Sequence, residues 1–220
     1  MNKERIIAPS VLSLDYSRMQ DQIKELEKSR AKWLHFDVMD GHFVPNLTFG
    51  PDILKGFNKA TDLFLDAHLM VTDPEKYAPI FADAGADLVT FHTEALDNDC
   101  KRIIALIKTL QDKGIKAGFV VKPKTDITQF ESVLDVTDLV LVMSVEPGFG
   151  GQSFMEDQLD KVRWLYQKRE EKNLDYRIEI DGGISDKTYQ KAVDAGCDTL
   201  VAGSYVFKKD ICEAVESLLK

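Results

Sequence analysis

Short, almost uninterrupted apolar runs alternate along this chain with longer stretches whose apolar positions recur every three or four residues. Eight runs have strand length: 6–12 (IIAPSVL), 33–39 (WLHFDVM), 63–71 (LFLDAHLMV), 88–93 (LVTFHT), 116–121 (KAGFVV), 139–145 (LVLVMSV), 177–181 (RIEID) and 199–204 (TLVAGS). Near-continuous hydrophobicity marks parallel strands covered by helices on both sides. The stretches between them, among them 16–30, 98–114 and 208–220, carry the amphipathic period of helices. Strand–helix alternation at this spacing predicts repeated βαβ units. Eight units in 220 residues predict an α/β protein, a compact (β/α)8 or TIM barrel, as one domain over 1–220. A doubly wound open sheet is the structural alternative, but its Gly-x-Gly-x-x-Gly turn after the first strand is absent.

Polar residues interrupt these strands in a pattern. His35, Asp37 and Met39 share one face of the second strand, and Asp66, His68 and Met70 share one face of the third. Asp181 ends the seventh and Met143 lies in the sixth. A His or Asp alone in an apolar strand is costly, so several together need a shared solution. If the three strands are neighbours in a closed barrel, His35, Asp37, His68 and Asp181 can converge on one divalent cation. Imidazole and carboxylate suit Zn, Fe, Mn or Co, and affinity order does not choose among them. For each residue singly, a satisfied core histidine or a loop-capping aspartate is the plain alternative. His92 has no evident partner in its own strand, and a rim or packing role suits it as well as ligation. Asp37, Asp40, His68, His92, Glu146 and Asp181 all lie near C-terminal strand ends, the rim where such barrels place their chemistry.

Composition narrows the options. Charged residues make up 30% and hydrophobic ones 44%, an ordinary globular balance. A net charge of −9 argues against general nucleic-acid affinity. It leaves room for an anionic substrate, because backbone N–H groups alone can build a phosphate site. Cys100, Cys197 and Cys212 lack metal-type spacing and fit a reducing compartment. No signal peptide or membrane-length apolar run is visible, and the expectation is a cytoplasmic protein.

Three glycine-containing turns follow the last three strands: 146–154 (EPGFGGQSF), 181–185 (DGGIS) and 202–207 (AGSYVF). Glycine lets backbone N–H groups approach an anion closely, and barrels of this kind often bind phosphate after strands seven and eight. No Lys or Arg is embedded in these turns, consistent with recognition by N–H groups and helix dipoles. Met39, Met70 and Met143 are core residues by type, placed where they could wall a substrate.

These pieces carry a family likeness. The segments 35–50 (HFDVMDGHFVPNLTFG), 66–71 (DAHLMV), 143–154 (MSVEPGFGGQSF) and 181–185 together resemble the ribulose-phosphate 3-epimerases, and the likeness runs from 6 to 207. The resemblance implies a ribulose-phosphate-binding type of barrel. It implies one divalent metal per subunit, with zinc first among the candidates, on His35, Asp37, His68 and Asp181. It implies a ketopentose 5-phosphate substrate touching Ser10, His68, Met39, Met70 and Met143. It places the phosphate on Gly148, Phe149, Gly150, Gly151, Gly182, Gly183, Gly203 and Ser204. Family members assemble as dimers or hexamers, so a homo-oligomer without nucleic-acid or membrane partners is expected. Glu146 stands where many members have Asn, and Lys122 and Asp126 fall at variable places. Lys122 could extend towards the phosphate or lie solvated on the rim.

The implied reaction is inversion at C3 of ribulose 5-phosphate through an enediolate. Asp37 and Asp181 act as base and acid on opposite faces, begin in opposite protonation states and exchange roles in reverse. The loops 40–50 and 147–152 could close over the site. The nearest rival is a 3-epimerase for a hexulose 6-phosphate such as allulose 6-phosphate; Gly150, where those relatives often carry Ala, favours the pentulose. Sugar-phosphate decarboxylases and aldolases on this barrel use Asp-x-Lys-x-x-Asp in strand three, and here His68 takes the Lys place. A non-catalytic sugar-phosphate binder would have little reason to keep both carboxylates.

Overall fold

The eight apolar runs are strands: β1 (Ile6–Pro9), β2 (Trp33–Met39), β3 (Phe64–Met70), β4 (Leu88–His92), β5 (Lys116–Val121), β6 (Leu139–Met143), β7 (Arg177–Asp181) and β8 (Thr199–Ala202). A computed structural model describes residues 3–220; the first two residues of the predicted 1–220 domain lie outside them. All strand pairs are parallel, in the order β1-β8-β7-β6-β5-β4-β3-β2. A single parallel bridge between Ser10 and His35 joins the two ends into a ring. The helices are α1 (Met19–Lys28), α2 (Pro51–Ala60), α3 (Pro74–Asp83), α4 (Cys100–Gln111), α5 (Leu159–Lys172), α6 (Tyr189–Ala195), α7 (Ser204–Phe207) and α8 (Ile211–Leu219). Between β5 and β6 a 3-10 segment, Ile127–Val133, takes the place of a helix.

Alternation along each strand divides the core in two. Ile7, Phe36, Ala67, Phe91, Phe119, Val142 and Ile180 pack outward against the helices. Ile6, Trp33, Leu88, Val120, Leu139, Leu141 and Val201 fill the barrel from within. The same alternation turns the polar set inward, since it shares their parity.

Several elements are shorter than their apolar runs, for local reasons. The run 6–12 leaves the ladder at Ser10, whose Oγ accepts from Leu12 N and turns the chain into a 3-10 turn, Val11–Ser13. The run 139–145 stops at Met143, beyond which Ser144 Oγ donates to the carbonyls of Asp181 and Gly182. The run 199–204 stops at Ala202 because α7 opens at Ser204. Helices α4 and α8 begin later than the periodicity predicts, where Asp99 and Asp210 cap them by accepting backbone N–H groups. One premise needs correction: β2 and β3 are neighbours, but β7 is separated from β2 by β8 and β1. Asp181 therefore reaches the site from across the ring.

The cysteines form no disulfide, and no helix among the described residues is long and apolar enough to cross a membrane.

At the end of the barrel away from the glycine turns, Arg169 of α5 donates to Asp198 Oδ2 (2.5 Å) and to the Tyr176 carbonyl (3.0 Å). Both charged side chains are about 95% buried, with side-chain exposures of 4% and 5%. Asp198 also accepts from Arg177 at 3.2 Å and from Ile178 N at 3.3 Å, tying β7 to β8. Asp198→Ala strands the Arg169 charge and is expected to cost about 3–5 kcal/mol in urea unfolding. Catalysis at the opposite end should survive below the lowered melting temperature.

Candidate active site

The register of β2 and β3 sets Asp37 beside His68 and His35 beside Asp66. His35, Asp66 and His68 are fully buried, and Asp37 is 4% exposed. His35 Nε2 lies 3.3 Å from His68 Nδ1 and 3.4 Å from Asp37 Oδ1, and His68 Nδ1 lies 3.3 Å from the same oxygen. A carboxylate oxygen of Asp181 completes a group whose donor atoms all lie within 4.8 Å of one another. A tetrahedral centre with bonds of 2.0–2.1 Å holds neighbouring donors about 3.3–3.4 Å apart. The three measured separations match that spacing, so these residues fit one divalent ion.

The outer nitrogen of His35 is also spoken for. Its Nδ1 lies 2.6 Å from Asp66 Oδ2, to which it donates when Nε2 is kept free for a metal. Burial opposes a charge on His35, but the Asp66 and Asp37 carboxylates outweigh it and raise its pKa. Glu179 lies below, with Oε1 3.7 Å from His35 Nδ1. Both Glu179 oxygens and Asp66 Oδ1 are buried without a hydrogen-bond partner when all are counted as ionised acceptors. Burial, then the Asp66 charge, pushes Glu179 well above the carboxylate range. A protonated Glu179 is the donor that Asp66 needs. His35, Asp66 and Glu179 also have spacing that could hold an ion.

Asp37 and Asp181 differ in charge state. Burial acts to raise Asp37, but the His35 and His68 imidazoles overcome it and hold it below the usual carboxylate range. Ser10 Oγ donates to Asp37 Oδ2 at 2.6 Å. Burial, reinforced by the Asp37 charge, pushes Asp181 up to about 7. The surroundings thus push the two carboxyls in opposite directions.

Above them opens a cavity of about 380 Å³. Ser10, Asp37, Asp181, Met39, Met70 and Met143 line it, as do Gly148, Phe149, Gly150, Gly151, Gly182, Gly183, Gly203 and Ser204. His35 and His68 lie buried beneath. Met39 and Met70 pack with Val44, Leu12 and Phe43 at the mouth, whereas Met143 packs into the barrel interior. Gly183 has φ +64°, and a Cβ there would lie 2.6 Å from Phe154 N, so this turn admits only glycine. The two loops expected to cover the site touch, with Asn46 Nδ2 donating to the Gly148 carbonyl at 3.0 Å.

Other polar residues have other places. Asp40 accepts from Thr72, His42 and Phe43 and braces its loop. Glu146 is exposed, and Asp126 caps the 3-10 segment after β5. The Lys122 ammonium packs 3.7 Å from the centre of the Phe43 ring, away from the cavity lining. Lys208 and Lys209 do line the cavity, supplied by the pair of lysines directly after the third glycine turn. Asp66, Glu179 and Glu94 also went unassigned in the sequence; the parity of Asp66 with His68 and of Glu179 with Asp181 was the signal for two of them.

Residues 6–207 match the model of the ribulose-phosphate 3 epimerase family. The chain belongs to that family. It is 45% identical over 207 residues to a ribulose-phosphate 3-epimerase of Synechocystis sp., covering 94% of this chain and 89% of that protein. Against the ribulose-phosphate 3-epimerase of Bacillus subtilis it is 45% identical over 202 residues, covering 91% of each. The barrel also resembles a 3-keto-L-gulonate-6-phosphate decarboxylase from Vibrio cholerae, with a TM-score of 0.69, 17% identity and coverage of 99% and 96%. That likeness is one of fold.

Replacing Asp66 by Asn weakens the grip on His35. Zinc affinity, read by competition with a chromophoric chelator, is expected to fall about 10–100-fold.

Proposed function

We propose that this protein interconverts D-ribulose 5-phosphate and D-xylulose 5-phosphate by moving a proton at C3, with Asp37 and Asp181 as the proton carriers. The observation that carries this reading is the pair itself. Asp37 on β2 and Asp181 on β7 come from separate arcs of the ring and meet at one cavity floor, two carboxyls facing one space from two directions. Ionised Asp37, oriented by Ser10, removes the C3 proton from one face. Protonated Asp181 returns a proton to the other face, and configuration inverts. The reverse reaction begins with the two protonation states exchanged.

A divalent metal held by His35, Asp37, His68 and Asp181 supplies Lewis-acid stabilisation of the negative charge on the substrate oxygens, worth several kcal/mol. Zinc would suit a donor set of two imidazoles and two carboxylates. The glycine turns after β6, β7 and β8 hold the 5-phosphate through backbone N–H groups. The methionines offer polarisable, non-ionising walls over the reacting carbons and help keep water from the enediolate. The contact between Asn46 and Gly148 joins the loops that complete this cover.

Asp37→Asn and Asp181→Asn should each lower kcat by at least about 10²–10⁴-fold while the melting temperature stays near wild type. In heavy water the wild-type enzyme should place deuterium at C3. Near-normal epimerisation by either variant would sink the two-carboxylate scheme. Gly183→Ala, which displaces the phosphate turn, should raise KM about tenfold or more with a smaller change in kcat, as steady-state kinetics would show.

A further inference from the structure

The far side of His68 carries a chain of contacts that proton transfer at C3 does not use. Its Nε2 lies 3.0 Å from Nε2 of His92. His92 Nδ1 lies 3.2 Å from Glu94 Oε2. The other Glu94 oxygen accepts from Lys122 N at 2.8 Å and from the Thr125 hydroxyl. His92 is fully buried, and the Phe43 ring packs against it with centroids 4.9 Å apart.

Two imidazole nitrogens at 3.0 Å need one hydrogen between them, and both ends of the chain decide where it sits. His68 faces Asp37 and His35 with Nδ1, so ligation there uses the Nδ1 lone pair and leaves the hydrogen on Nε2. His92 Nε2 must then be bare, with its own hydrogen on Nδ1, where the Glu94 carboxylate accepts it. Every donor in the sequence meets an acceptor. With both His92 nitrogens engaged, His92 is not itself a ligand.

We infer that His92 and Glu94 are a positioning pair that fixes the tautomer and ring orientation of His68 for metal binding. This rests on the metal reading given above. It parallels the single carboxylate, Asp66, behind His35, with an imidazole inserted because the Glu94 carboxylate lies one side chain further away.

The arrangement makes a sharp prediction for Glu94→Gln. The Lys122 N–H and the Thr125 hydroxyl both donate to Oε1 and keep the amide oxygen on their side. The amide NH2 then faces His92 Nδ1, forcing the His92 hydrogen onto Nε2, against the Nε2–H of His68. His92→Phe fills the same space but offers His68 no acceptor.

The test is a long-range 1H–15N correlation spectrum of the histidine rings in the full-length zinc-loaded protein, with zinc affinity measured by chelator competition. In the wild type, His92 should be protonated on Nδ1 alone and His68 on Nε2. In Glu94→Gln, His92 should switch to Nε2–H. Both variants should bind zinc about 10–100-fold more weakly. Protonation of wild-type His92 on Nε2, a measurement that needs no variant to fold, would overturn the inference. So would wild-type zinc affinity in both variants. If zinc leaves the wild-type His35 and His68 signals unmoved, the metal reading itself fails and the inference falls with it.

Discussion

The inner end of this barrel holds His35, His68, His92, Asp37, Asp66, Glu179 and Asp181 where little water can solvate them. Isolated charges there would cost several kcal/mol each. The group is tolerable because its members answer one another. His35 faces Asp66 and Asp37, His68 faces Asp37 and His92, and His92 faces Glu94. Apolar packing holds the strands, but mutual satisfaction of these polar groups decides which side chains the barrel interior can contain. The pattern of charge states follows from the same condition. Burial, reinforced by nearby carboxylates, pushes Glu179 and Asp181 up, whereas at Asp37 the His35 and His68 imidazoles overcome burial and push it down.

Closure of the ring turns this arrangement into a two-faced site. Asp37 and His68 are adjacent because their strands are, whereas Asp181 arrives from three strands away. A substrate lying between them is approached from two directions without any movement of the backbone. The glycine turns of β6, β7 and β8 sit on the Asp181 side of the same cavity, so the turns and the carboxyls belong to one frame.

Much of this was legible in the chain. The run 33–39 could be placed to the residue, because its β-rich, largely apolar stretch is bounded on both sides by polar residues. The inward parity of His35, Asp37 and His68 followed from the twofold alternation of a strand. Less could be read where a side chain overrides the apolar pattern, as at Ser10 and Ser144, whose hydroxyls bond the backbone and end the ladder early. The partners of Glu179 and Glu94 were not readable, although Glu179 shares the face of Asp181. Each is an ordinary acidic residue in sequence, and only the closed ring reveals what it faces. The condition that all three strands be neighbours fails at β7, which the sequential strand order of the predicted barrel itself sets three positions from β2.

Ser10 has two duties that bind folding to chemistry. Its backbone forms the lone bridge closing the ring against His35, and its hydroxyl donates to Asp37. The seam between β1 and β2 is thus the ring's thinnest ladder and also the mounting of Asp37, the proposed base. Local opening there would disengage the hydroxyl while the other seven strand junctions stayed zipped. Such a protein can lose its activity by a breath at one seam, long before it unfolds, and the same breath is reversible.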